Sequence, residues 1–185
     1  IDLLVTTGFK NIREANIIIE TQSYPHARIN TNPIGYIKYT LEAGKYFGRL
    51  PYPLLELHKG NETFAFDYYA FNMMNYYEFV SDQYASLIAE QHFQGFFLNY
   101  FPIMRILRFR EVATFKALYG TLSNANSSSM LLPPGMSDVT KPYMEAGLGI
   151  ENIFKLLRID FVYRLTHQRP DQPNWGIFMK FQLIL

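Results

Sequence analysis

Period two runs through most of the chain. Along Arg158–His167, Ile159, Phe161, Tyr163 and Leu165 alternate with Arg158, Asp160, Val162, Arg164 and Thr166. In a strand such alternation puts the two sets on opposite faces. Trp175–Leu185 repeats the pattern, with Trp175, Ile177, Met179, Phe181, Leu183 and Leu185 on one face and Gly176, Lys180 and Gln182 on the other. Phe178 and Ile184 are impurities on that second face. Upstream, Met144, Ala146, Leu148 and Ile150 oppose Glu145, Gly147 and Gly149. Over Arg108–Leu122, Phe109, Ala113, Phe115, Ala117 and Tyr119 oppose Arg108, Arg110, Thr114 and Lys116, and Glu111 breaks the rule. Over Tyr84–Leu98, Leu87, Ala89 and Phe93 oppose Ser86, Glu90, His92 and Gln94. Over Gly35–Lys45, Ile37, Tyr39, Leu41 and Ala43 oppose Lys38, Thr40 and Glu42. Weaker runs lie near Leu3–Lys10 and Glu14–Gln22, where Asn16-Ile17-Ile18-Ile19 does not alternate. The pattern predicts an all-β, antiparallel fold of about eight strands.

The connections alternate in length. Residues 48–83 make a long one, 99–107 a shorter one, 123–141 a long one, 154–157 a very short one and 168–173 a medium one. Ser123–Pro142, with a Ser/Asn cluster and Pro133-Pro134-Gly135, reads as a solvated external loop. Short turns paired with longer loops characterise outer-membrane barrels.

Composition sharpens the choice. The 185 residues include 16 Phe, 14 Tyr and 1 Trp, yet only 18% are charged, against about 25% in a typical soluble domain. Zero Cys excludes disulfides and thiolate zinc sites. A net charge of +1 gives no field for nucleic acid. No apolar run is long enough for a membrane helix. The chain begins at Ile1 without Met or signal peptide and reads as a mature product or a fragment.

Two architectures fit: a soluble sandwich or barrel with its polar face in water, and a membrane barrel. The aromatic faces favour the second. Every backbone group must pair in hydrocarbon, so a sheet survives there only when closed. Phe109, Phe115, Tyr119, Ile159, Phe161, Tyr163, Leu165, Trp175 and Phe181 would then meet lipid. Arg108, Arg110, Lys116, Glu145, Arg158, Asp160, Arg164 and Lys180 would line a wet lumen, where Arg164→Gln should be mild. The expected fold is an antiparallel transmembrane β-barrel spanning residues 1–185.

Particular stretches resemble known families. Tyr143–Phe154, a short turn, Leu157–Leu165 and the closing strand look like the last three strands of the BamA-like outer-membrane insertase superfamily. Asn174, Gly176, Met179 and Phe181 resemble a β-signal, with Met179 where an aromatic is usual. Leu41–Leu55, Phe71–Asp82 and Arg110–Gly120 are similar to the barrel region of a Bacteroidota family with carboxypeptidase-like regulatory N-terminal domains. The resemblance implies a barrel of roughly sixteen strands, of which this chain is the C-terminal half. It also implies that residues 48–83 fold into the barrel. The Arg-Gly-aromatic motif of the insertases' inward loop is absent.

Candidate chemistry is sparse. His26, His58, His92 and His167 show no ligand spacing, so no metal site is expected. No Gly-x-Ser-x-Gly occurs, so no catalytic residue and no cofactor is expected. Asp67–Asp82, rich in Tyr, Phe, Asn and Met, reads as a binding loop, a lumen plug, or a loop packed on the rim by its own aromatics. Glu56, Glu62, Asp67 and Glu78 are either a cation site or solvated charges.

The functional expectation, carried by family analogy, is a non-enzymatic protein of the bacterial outer membrane. It would take part in outer-membrane protein biogenesis or transport, with membrane lipids and other outer-membrane proteins or complex subunits as partners. The alternatives are a structural or accessory subunit of an outer-membrane complex, and a soluble β-domain binding an apolar ligand.

Overall fold

The structure is a computed structural model that describes residues 3–10, 16–23, 26–128, 131–139 and 141–181. Its strands are β1 (Leu3–Lys10), β2 (Asn16–Ser23), β3 (His26–Asn30), β4 (Tyr36–Lys45), β5 (Glu56–Leu57), β6 (Phe79–Ser81), β7 (Gln83–His92), β8 (Arg110–Thr121), β9 (Ser137–Asp138), β10 (Tyr143–Ile153), β11 (Leu157–Arg164) and β12 (Trp175–Phe181). Helix α1 (Pro102–Leu107) follows a single 3-10 turn, and α2 (Asn124–Ser127) is one turn long. No helix among the described residues is long and apolar enough to cross a membrane, which says nothing about strands.

The fold is all-β. Seven strands form one antiparallel sheet in the order β12-β11-β10-β8-β7-β4-β3. β1 and β2 form a separate hairpin, and β5-β6-β9 a small second sheet. Each alternating run of the sequence holds a strand of this arrangement, but Tyr84–Leu98 is strand only as far as His92; Phe93 and Gln94 lie in the β7–β8 connection, where Gln94 takes left-handed backbone at φ 56°. His26–Asn30 was missed, because five residues beside Pro25 are too few to show a period. The closing run extends to Leu185, and 182–185 lie outside the described residues, as do Glu14 and Ala15 of the second run.

A closed barrel is not found among the described residues; the resemblance implies that this chain supplies only half of one. The sheet is open, with β3 and β12 as its two edges. The outer edge of β12 is partly occupied by the chain's own segment: Phe66 N donates to Met179 O at 2.8 Å, and Met179 N to Phe64 O at 2.8 Å.

Local rules place the turns. Gly35, at φ 100°, closes the β3–β4 turn, and a Cβ there would lie 1.9 Å from His92 O. The β10–β11 turn is built on Asn152, Phe154 and Lys155 in left-handed backbone and follows a bulge between Ile150 and Ile153. Asn152 Nδ2 donates to Arg108 O at 2.6 Å, tying this turn to the β7–β8 connection.

Burial is lopsided. On β7, β8, β10 and β11 the alternate positions holding Tyr84, Ser86, Ile88, Glu90 and His92, then Val112, Thr114, Lys116 and Leu118, then Tyr143, Glu145 and Glu151, then Arg158, Asp160, Val162 and Arg164 are buried. The segment 46–82 lies across this face. Its Phe71, Met74 and Phe79 pack with Tyr84, Leu118, Val139 and Tyr143, and its Phe66 and Met73 pack with Val162 and Phe178. The opposite face, carrying Phe115, Tyr119, Leu148, Phe161, Tyr163, Trp175 and Ile177, is exposed. An ordinary half-solvated sheet shows the reverse arrangement, apolar in and charged out.

Candidate functional site: a charged face under an internal cover

Register brings the charges into rows. Ile88, Lys116, Glu145 and Arg164 stand side by side across β7, β8, β10 and β11; His92, Val112, Gly149 and Asp160 form the next-but-one row. Three of the four side chains in the first row and two of the four in the second are ionisable, and nothing ionic can stay buried cheaply without partners.

The partners are of two kinds. Some are on the sheet itself. Arg158 donates to both Asp160 oxygens at 2.7 and 2.8 Å, to Glu90 Oε1 at 2.8 Å and to Thr114 Oγ1 at 3.3 Å. Its guanidinium also lies 4.4 Å from the Phe66 ring centroid, a cation–π contact from the cover. His92 Nδ1 sits 3.2 Å from each Glu151 carboxylate oxygen, and Nε2 3.3 Å from Glu90 Oε2. Its ring stacks on Tyr36 at 4.6 Å.

The remaining partners belong to the cover. Glu145 accepts from the backbone N–H groups of Asn72 and Met73 at 2.8 and 2.9 Å. Lys116 Nζ donates to Asp67 O at 2.7 Å and to Ala70 O. Arg164 donates to Glu78 Oε1 at 2.6 Å and to Met73 O at 3.1 Å, with the Tyr143 ring 4.9 Å away. Backbone groups of 67–73, which have no ladder of their own, thus find ionic partners on the sheet.

Within the cover, burial holds the His58 imidazole neutral, pushing its pKa down to about 3; its Nε2 is 2.9 Å from Ser81 Oγ. Burial alone would raise Glu78, but the Arg164 hydrogen bond, the Asn75 N–H and the charges of Arg164 and Arg169 outweigh it and hold its carboxyl below the usual range. The four acids considered for a cation all have protein donors: Glu56 takes Tyr46 Oη, Glu62 takes Tyr76 N, Asp67 takes Tyr69 N, and Glu78 takes Arg164. Among the described residues no group of three or more His, Cys, Asp or Glu could hold a metal. A cavity of about 620 Å³ opens beside the cover, lined by Lys59, Asn61, Tyr68, Tyr69, Tyr76 and Lys180 among others.

The sequence-predicted residues divide as follows. Lys116, Glu145, Arg158, Asp160 and Arg164 are buried on the covered face; Arg110 and Lys180 are half-buried at its margins. Arg108 is a correction. It does not lie on a strand, but caps α1 in left-handed backbone at φ 56°, with an exposed side chain. Phe109 precedes β8 and is half-buried, its N–H donating to Met104 O. Phe115, Tyr119, Ile159, Phe161, Tyr163, Leu165, Trp175 and Phe181 are exposed. Asn174 closes the turn before β12 by exchanging hydrogen bonds with Arg169. Gly176 makes room for Phe178 and Met73, Met179 carries the edge contacts, and Phe181 is 83% exposed.

Glu90, His92, Glu151 and Thr114 were missed as a group. Glu90 and His92 show as a polar i, i+2 pair, but Glu151 comes from a strand that is not adjacent, and only the register reveals it. Glu111, the exception to the alternation, accepts hydrogen bonds from Gly95 N and Leu98 N and so caps the β7–β8 connection.

The family described as "Family of unknown function (DUF5686) C-terminal domain" matches residues 1–126. The chain belongs to this family. No curated protein and no solved structure matches it. The family match takes in β1 to β8, and with them the entire cover. The strands β10 to β12, which supply Glu145, Glu151, Arg158, Asp160 and Arg164, follow the matched residues.

Proposed function

We propose that this DUF5686-family chain is a wall segment of a transmembrane β-barrel in the bacterial outer membrane, with its 46–82 segment held on the lumen side. In this reading it acts without catalysis in outer-membrane protein biogenesis or transport, among lipids and other outer-membrane proteins. One observation carries the reading: ionic side chains are buried while the aromatic rows of the same strands stand exposed. Arg158 is 2% exposed and Arg164 1%, against 55% for Ile177 and 51% for Trp175. Water does not favour such a face, whereas hydrocarbon does.

The backbone hydrogen bonds of Glu145 and Lys116 and the Arg164–Glu78 ion pair, all reaching into 67–78, favour a second reading on the same fold, a plugged barrel serving as a structural or accessory subunit without transport. Planar-bilayer conductance of the full-length protein separates the two. Transport through the lumen predicts rare openings that become frequent in Glu78→Ala; a structural plug predicts no conductance in either protein. Extraction of the wild type from membranes by alkaline carbonate alone, without detergent, would refute both.

A further inference from the structure

The β7–β8 connection carries a second apolar surface that the wall reading does not use. Residues 93–109 form a 3-10 turn and then α1, and no residue of α1 is buried. Tyr100 is 80% exposed and Ile106 78%, with Phe97, Phe101, Ile103 and Leu107 also open. A six-residue helix has little stability of its own. The connection is nonetheless fixed at both ends, by Glu111 bonding Gly95 N and Leu98 N, and by Asn152 bonding Arg108 O.

Charge says what covers it. At this end of the sheet the turns are 31–35, 93–109 and 154–156, and they contain Arg105, Arg108 and Lys155 but no Asp or Glu. The nearby acids face elsewhere: Glu111 is committed to the turn amides, and Glu90 and Glu151 are buried with His92 and Arg158. The cover segment 46–82, which leaves β4 and enters β7 at their opposite ends and lies across the buried face, has five acids, Glu56, Glu62, Asp67, Glu78 and Asp82. The rim at 93–109 is therefore aromatic, aliphatic and purely cationic. That combination suits the interface of an anionic lipid leaflet, where rings sit at headgroup depth and cations meet phosphate.

We infer that the α1 rim is an anionic-phospholipid docking surface, with Tyr100, Phe101, Ile103 and Ile106 inserted at headgroup depth and Arg105, Arg108 and Lys155 binding lipid phosphates. The inference rests on the lipid-facing reading of the wall and adds the leaflet that this end of the sheet meets.

The test uses the full-length protein in mixed vesicles of phosphatidylcholine and phosphatidylglycerol, with one lipid brominated at a time. Trp175, on the exposed sheet face, reports the wall. Tyr100→Trp in a Trp175→Phe background reports the rim. The expected result is quenching of both reporters, with the rim reporter quenched several-fold more by brominated phosphatidylglycerol than by brominated phosphatidylcholine. Arg105→Gln with Arg108→Gln should bring that ratio back to one. A quenched Trp175 beside an unquenched rim reporter overturns the rim inference, leaves the wall standing, and points to a protein partner on α1. Equal quenching by the two lipids, or selectivity that survives removal of the arginines, also overturns it. Failure of both reporters to be quenched overturns the wall reading with it.

Discussion

Arg158 on β11 and Glu90 on β7 meet at 2.8 Å although β10 and β8 lie between their strands. The guanidinium lies along the sheet rather than standing off it, and the glycine of β10 beside Asp160 is what gives the fork room. A Cβ on Gly149 would fall 2.3 Å from Asp160 Oδ1. The charge network therefore depends on a position that carries no charge.

Gly149→Ala should displace the Asp160 carboxylate and loosen the Arg158 fork. Overpacking of this kind costs about 1–3 kcal/mol. The measurement is thermal unfolding in detergent micelles followed by circular dichroism, and an unchanged midpoint would show that the sheet absorbs the methyl group elsewhere.

Arg158→Met leaves Glu90 and Asp160 buried without their shared cation, a loss of about 3–5 kcal/mol. Combining it with Glu90→Gln and Asp160→Asn removes the stranded charges and should recover a large part of that loss. A triple variant no better than the single would mean that packing of the guanidinium on Phe66, rather than charge, dominates the site.

Arg164 turns the sequence expectation around. Read as facing lumen water, it should tolerate Gln; in the structure it is buried on Glu78 and Met73 O. Arg164→Gln is accordingly expected to cost about 3 kcal/mol and to loosen 46–82. Limited proteolysis should then cut near the exposed Tyr76-Tyr77 faster than in the wild type.

On the outer face, Phe161→Arg should lose about 2–4 kcal/mol of membrane assembly, and Phe181→Arg, at the end of β12 next to the short-turn rim, about 0–1. Refolding yield into lipid vesicles reads the difference. Equal yields for the two variants would remove the depth gradient that a bilayer imposes.

Acid should weaken the cover through His58. Its folded pKa of about 3 lies below the ordinary 6.5, so the unfolded chain binds a proton that the folded one refuses. The stability present above pH 6.5 is lost as pH falls from there toward 3, with a slope approaching about 1.4 kcal/mol per pH unit. Glu78, also depressed, adds loss in the same direction only below 4.5. His58→Gln keeps a hydrogen-bonding group for Ser81 Oγ and should flatten the stability–pH curve between 4.5 and 6.5 relative to wild type.

Strands β4, β7, β8, β10, β11 and β12 were legible because period two is a local property of neighbouring residues. So was the division into an ionic and an aromatic face, which Arg158, Asp160 and Arg164 against Ile159, Phe161 and Tyr163 display within one strand. What the sequence could not display is distance across the sheet. His92 and Glu151 are 59 positions apart and joined only through register. Asn72 and Met73 look like loop residues until their amides are seen on Glu145. Arg108 was misplaced because alternation continued upstream of the true strand start, into a helix cap.

The contact of Phe64 and Phe66 with Met179 has a further effect. One amide and one carbonyl on the border of the sheet can serve a single neighbour at a time. Any additional strand that zips along β12 must unfasten this tripeptide first, so sideways growth of the sheet and the seating of 46–82 are a single equilibrium rather than two independent ones.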